Sequence, residues 1–200
     1  PAVIFHILNN TDLKPAEIEK ILNKKSGILG VTGQYIDRRD IQKAAKEGDS
    51  RSQLAIDLEV HRLRKYIGAY AAALGRVDAL IFTAGVGEQA WAIRRRFVEN
   101  LDILGIKADL EKNDLSASRN AETEISADDS ATKIFVIPTD EELVMTEDTY
   151  ALLNGTYDVH TNFTYSFQSP DYVNRGRAER VKKEIEKLPE LEKIIARPPK

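Results

Sequence analysis

Two short apolar runs constrain this chain more than any other feature, because each leads straight into a helix start. They are Val77–Thr83 (VDALIFT) before AGVGEQ, and Lys133–Pro138 (KIFVIP) before TDEEL. Runs of this length without polar alternation suit strands covered on both faces, as in parallel sheets flanked by helices. Ahead of the first run, Ile56, Val60, Leu63, Ile67, Tyr70 and Leu74 recur at helical spacing, which predicts an amphipathic helix over Ser50 to Leu74 that Gly75 ends. Shorter helices are expected from Pro15 to about Asn23, from Asp40 to Gly48, and from Glu88 to Asn100 with Ile93, Phe97 and Leu101 inward. A capping box of Thr139 and Glu142 predicts a further helix towards Leu153. Helix, strand, helix, strand, helix is the order of an α/β layer architecture.

Asn23–Asp40 carries Gly27, Gly30 and Gly33 at intervals of three and reads as an irregular loop. Lys107–Thr132 is polar and gives no periodic signal. Beyond Asn154-Gly155 the character changes, first to aromatic and polar residues through Tyr172, then to a charged helix with Val181, Ile185 and Leu188. Pro189 and the Pro198-Pro199 pair limit that helix. The division expected is a main domain over 1–153 and a partly helical extension over 154–200, packed on the main layer or on a partner.

Composition removes several classes of function. Of 200 residues, 29 are basic and 32 acidic, a net charge of −3, too balanced for a surface that tracks phosphates, so no nucleic-acid partner is expected. There are no cysteines, which excludes disulfide scaffolds, thiolate catalysis and Cys-based zinc sites. Only three histidines, His6, His61 and His160, are available for metal chemistry, and His6 and His61 read as structural. No apolar run approaches the roughly 18 to 20 residues that cross a bilayer, and PAVIFHIL lacks the features of a signal peptide. The expected location is cytoplasmic, with no membrane partner, and the sequons at Asn9, Asn154 and Asn162 then read as accidental. Pro1 opens the chain without an initiator Met, as expected of a segment cut from a longer polypeptide.

Chemistry is sought at the two strand–helix junctions, since ligands of α/β proteins bind at the carboxyl ends of strands. At the first, Gly85-Val86-Gly87-Glu88-Gln89 lets backbone approach a ligand and offers amides to phosphate or to a nucleoside. The same glycines also serve a plain tight turn, and neither the third glycine of a dinucleotide fingerprint nor a P-loop Lys is present. At the second, Asp140, Glu141 and Glu142 crowd one helix start, where capping accounts for Glu142 and Glu141 is a candidate for Mg²⁺. A third candidate, Asp37-Arg38-Arg39-Asp40, could stack on a base or pair with phosphate, or form a surface ion-pair cluster. Trp91 reads as core or interface, and the stripe of the long helix as core or dimer seam.

NKKSGILGVTGQYIDRRD, RKYIGAYAAAL, DALIFTAGVGE and VIPTDEEL, in this order and spacing, resemble the C-terminal half of the acetate kinase family over about residues 1 to 150. The resemblance implies a ribonuclease-H-like lobe of the acetate and sugar kinase, Hsc70 and actin superfamily, a mixed sheet flanked by helices. It implies reversible Mg²⁺-dependent transfer of the γ-phosphoryl group of ATP to acetate, giving acetyl phosphate and ADP, in a homodimer. Propionate or butyrate kinase are sister activities, and a non-catalytic module for nucleotide binding or dimerisation is the alternative. Family nucleotide contacts fall on Asp37, Arg38 and Arg39 and on Gly85, Val86, Gly87, Glu88 and Gln89, and the magnesium-associated carboxylate on Glu141. Gln89 stands where the family usually has Asn, Arg38 at a variable position, and Asp140 where Asn is usual. The family's phosphate-binding segment, catalytic histidine and two substrate-side arginines would all precede Pro1, so no catalytic residue is expected within this chain and it should not turn over substrate alone.

Overall fold

A computed structural model of the chain describes residues 2–159 and 162–196. Pro1, His160 and the Pro198-Pro199 pair lie outside the described residues. The chain divides into two compact units, one up to Tyr66 and the other from Ile67 on.

The first unit is helical. α1 (Ala2–Asn10) is followed by α2 (Pro15–Lys24), whose proline at the first position needs no amide partner and whose Glu17 carboxylate accepts from the Lys14 amide at 2.8 Å. The glycine-spaced segment departs from expectation: it contains a helix, α3 (Gly27–Thr32). Gly27 (φ 65°) and Gly33 (φ 80°) mark its two ends in left-handed conformations, so the glycines punctuate a helix instead of shaping a loop. α4 (Arg38–Lys46) begins two residues earlier than the apolar spacing implied, because the Asp37 side chain caps it by accepting from the Arg39 amide. Ile18, Ile41, Ala44, Ala55, Ile56 and Val60 are buried.

α5 (Ser50–Leu74) has the bounds that the periodicity predicted, with Gly75 left-handed after it (φ 79°). Its stripe is not uniformly covered: Ile56 and Val60 are buried, whereas Tyr70 and Leu74 are 64% and 71% exposed.

The second unit carries a three-stranded mixed sheet with β3 in the centre. β1 (Ala79–Phe82) runs parallel to β3 (Lys133–Val136), Ala79 opposite Lys133 and Phe82 opposite Val136, and β2 (Thr123–Glu124) runs antiparallel to β3. Ile134 and Val136 are fully buried, but Ile81 is 53% exposed, so β1 is covered on one face only and the two-faced reading of its apolar run does not hold. The reason is position: β1 sits at the margin of a small sheet, with helix and core packing against the Phe82 side. There Phe82 stacks on Phe97 at 6.3 Å between ring centres, and Ile93, Val98, Leu101 and Ile106 are buried as well.

The helix expected over Glu88–Asn100 is two helices, α6 (Ala84–Gln89) and α7 (Trp91–Val98). Ala90 closes one by donating to the Val86 carbonyl and opens the other by accepting from Ile93 and Arg94. The unassigned polar stretch contains β2 and a short helix, α8 (Leu110–Leu115), which Asp109 caps through the amides of Glu111 and Lys112. α9 (Glu141–Leu153) is capped by Asp140, not by the Thr139 box, since Thr139 is engaged elsewhere.

After α9, Tyr157, Phe163, Tyr165 and Phe167 form a run of ring contacts at 4.8 to 5.6 Å, tied to α9 by the Tyr165 hydroxyl donating to Asp148. Burial, followed by that carboxylate, raises the Tyr165 hydroxyl to about 12. α10 (Arg175–Lys187) and a 3₁₀ turn over Pro189–Ile194 come next. Leu191 and Ile194 pack with Ala121, flanked by Leu115, Val181 and Ile185. The Ala196 amide donates to the Glu122 carbonyl at 2.8 Å, and Ile195 bridges Thr123.

Candidate functional site

The chain leaves β1 through an extended Thr83 and then turns at Ala84, a non-glycine residue held at φ 59°. A left-handed alanine costs roughly 1 to 2 kcal/mol, so the packing around it has to impose the turn. The glycines that follow differ in role. A side chain on Gly87 would meet the Phe82 backbone, at 3.1 Å from its carbonyl carbon, whereas one on Gly85 would meet nothing within 4 Å. Gly87 is therefore a packing glycine that lets α6 lie against β1, and Gly85 leaves open space beside the turn.

Glu88 is buried, and its Oε1 accepts from both the amide and the hydroxyl of Thr139, at 2.9 and 3.0 Å. This joins the segment between β3 and α9 to the end of α6 and brings the two strand–helix junctions of the sequence reading side by side. Gln89 carries a buried Nε2 that has no hydrogen-bond partner among the described residues, a donor at this junction without an acceptor there.

Arg94, which the sequence reading passed over, holds the arrangement from beneath. Its fully buried guanidinium donates to the carbonyls of Gly87 and Glu88 at 2.7 Å each, to Asn113 Oδ1 at 3.0 Å and to the carbonyls of Asn113 and Ser116. Burial pulls it down to about 10, against the opposing pull of Asp114, so it remains a cation at neutral pH. Helical spacing carried a signal: Arg94 shares the inward face of α7 with Phe97 and Val98.

At the second junction, Asp140 Oδ1 accepts from the Leu143 amide and Oδ2 from Asn174 Nδ2 at 2.9 Å. Arg177 donates to the carbonyls of Pro138 and Thr139 at 3.1 and 2.8 Å. Glu141 follows on the first turn of α9, exposed, and among the described residues its carboxylate has no hydrogen bond or ion pair. It lines a cavity of about 810 Å³ together with Thr139, Leu143, Val144, Phe167 and Arg177. Among the described residues no three acidic or histidine side chains cluster as a cage for a cation. One unengaged carboxylate beside such a cavity fits Mg²⁺, which keeps most of its waters and takes one or two carboxylates plus ligand oxygens.

Asp37, Arg38 and Arg39 belong to the first unit. Arg39 and Asp37 form a forked pair, Nε to Oδ1 at 3.0 Å and NH2 to Oδ2 at 2.6 Å. The Arg39 side chain, then its amide, hold the Asp37 carboxyl at about 2, and Asp37 in turn raises Arg39. Arg38 pairs with Glu59 through NH1, while its Nε and NH2 are buried without a partner among the described residues. His6 and His61 are exposed, not buried in a core, and Trp91 is 41% exposed. No helix among the described residues is long and apolar enough to cross a membrane.

Comparison with known proteins places the chain in a family. A model of the acetokinase family matches residues 1–147. An acetate kinase of Treponema pallidum is 58% identical over 196 residues, 98% of this chain and 44% of that protein. The crystal structure of Porphyromonas gingivalis acetate kinase superposes with a TM-score of 0.67 at 40% identity, covering 76% of this chain and 38% of that one. A propionate kinase from Francisella tularensis does so at 0.62 and 38% identity, over 71% of this chain and 35% of that one. The chain thus spans less than half the length of these relatives. Its small mixed sheet flanked by helices agrees with the acetate and sugar kinase, Hsc70 and actin fold of those kinases. With a match over most of its length and two solved kinases of the same fold, this chain belongs to the acetokinase family.

Proposed function

We propose that this chain is the nucleotide-side part of an acyl kinase that passes the γ-phosphoryl group of ATP reversibly to acetate, giving acetyl phosphate and ADP. The observation that carries the reading is the unpartnered buried Nε2 of Gln89, at a junction where Gly85 leaves open space. A buried donor without an acceptor costs about 1 to 3 kcal/mol, which a ligand acceptor would recover. In this reading the backbone of Gly85, Val86 and Gly87 approaches the nucleotide, Gln89 donates to it, and Glu88 fixes the turn through Thr139. Asp37, Arg38 and Arg39, in the first unit, are nucleotide contacts by the resemblance alone, with the spare donors of Arg38 available to an anion. Glu141 holds Mg²⁺, which would supply charge neutralisation at the phosphate oxygens.

Phosphoryl transfer depends on cations that stabilise the equatorial oxygens and on a placed acceptor. The chain spans 44% of the Treponema pallidum relative, and the groups that the resemblance assigns to those tasks are not among its residues, so the chain alone should bind nucleotide without forming acetyl phosphate. The whole enzyme acts in the cytoplasm as a homodimer on acetate or another short carboxylate. The structural likeness to a propionate kinase supports propionate as a second acyl acceptor.

Calorimetry of the chain with ADP and Mg²⁺ tests the reading. Wild type should bind, Gly85→Val should bind at least tenfold more weakly because its side chain enters the open space, and Glu141→Ala should lose the magnesium dependence. Unaltered affinity in Gly85→Val removes that turn from the site.

A further inference from the structure

We propose that Asn174 and Arg177, from the segment after α9, are positioning residues that lock the β3–α9 junction and so set the orientation of Glu141. This rests on the reading that Glu141 serves the metal side of the nucleotide.

Two helix caps are joined here. Asn174 Oδ1 caps α10 by accepting from the Arg177 amide at 2.9 Å, and the same side chain donates through Nδ2 to Asp140, the cap of α9. Both oxygens of Asp140 are thereby committed. Arg177 stands in the first turn of α10, where a cation opposes the helix dipole. Its side chain, only 19% exposed, reaches instead to the consecutive carbonyls of Pro138 and Thr139, with Asp140 Oδ2 at 3.8 Å. Four successive residues, Pro138 to Glu141, thus comprise three that the tail grips and one, Glu141, left unengaged at the cavity.

Attachment of the tail does not require these contacts. Leu191 and Ile194 bury themselves on Ala121, Ile195 bridges Thr123, and Glu184 accepts from Ser118 and from Asn120 at 2.5 and 2.6 Å. The grip on the junction is additional to that anchorage. It also sets a cation and an amide against the first of three consecutive carboxylates, Asp140, Glu141 and Glu142, which relieves repulsion at the turn that presents Glu141.

The test uses the 200-residue chain with two readouts: amide hydrogen exchange along α9, and calorimetry with ADP and Mg²⁺. In Arg177→Ala and Asn174→Ala the amides of Leu143 and Val144, which donate to Asp140, should exchange faster while those of Tyr150 to Leu153 do not change. Affinity for magnesium ADP should fall about tenfold or more, as for other residues that orient a metal ligand. Adding Asp140→Asn to Arg177→Ala should recover most of that affinity, because a neutral cap needs no cation; a merely structural brace would give no such rescue. Arg177→Lys, which keeps the charge and loses the fork, should fall between wild type and Arg177→Ala, and it decides the matter should the alanine variant not fold. Unchanged exchange at the start of α9 overturns the lock, and faster exchange with unchanged affinity overturns its role for Glu141. A wild-type chain that does not bind magnesium ADP overturns the nucleotide reading instead, and the exchange result then decides the lock by itself.

Discussion

Gly85 and Gly87 occupy one short turn and answer to opposite constraints. Gly87→Ala forces its new methyl onto the Phe82 backbone and should cost about 1 to 3 kcal/mol in urea unfolding. Gly85→Ala meets no atom and should be neutral or stabilising by up to about 1 kcal/mol, since alanine is the better helix residue. Arg94→Ala strands the carbonyls of Gly87, Glu88, Asn113 and Ser116 together, and thermal unfolding should show a loss of about 3 to 5 kcal/mol. Asp37 predicts an acid dependence. Its folded value of about 2 lies below the usual 3.8, so its stabilising contribution is present in full above pH 3.8 and is lost as pH falls towards 2. A carboxyl titration followed by NMR should find that midpoint, and Asp37→Asn should remove the dependence over this window.

β1, β3 and α5 were legible in the sequence because each carries a sustained period or a continuous apolar run, whereas α9 was legible only through its polar start, where Asp140 and not Thr139 proves to be the cap. The Gly85–Gln89 turn and Glu141 were legible as positions, but Glu88's grip on Thr139 was not, since it spans 51 residues of sequence. α3 was hidden because Gly27 and Gly33 look like loop residues until their φ values show them to be helix boundaries. α8 left a readable trace, Asp109 before Leu110 and Glu111, but six residues are too few to show a period. Arg94 was lost in the run Arg94-Arg95-Arg96, which reads as a solvated face by charge although only its first member is buried. At this scale, Asp109→Ala should remove the cap of α8 and cost about 1 kcal/mol in denaturant unfolding, with the loss confined to stability.

Matched to relatives more than twice its length, the chain presents surfaces that a larger assembly would cover. Tyr70 and Leu74 on α5, and Met145, Leu152 and Leu153 on α9, are all more than half exposed. A homodimer is the expected state in light scattering, and a monomer at high concentration would count against it. The sheet bears on how that measurement is read. Among the described residues β1 pairs on one side only, with Ala79 and Ile81 exposed, and such an open edge is where a further extended strand could add. Two copies meeting edge to edge would form a continuous six-stranded ribbon and register as twice the mass, so disulfide crosslinking of an Ile81→Cys variant would betray adhesion, and crosslinking of cysteines placed on the helices a true subunit contact.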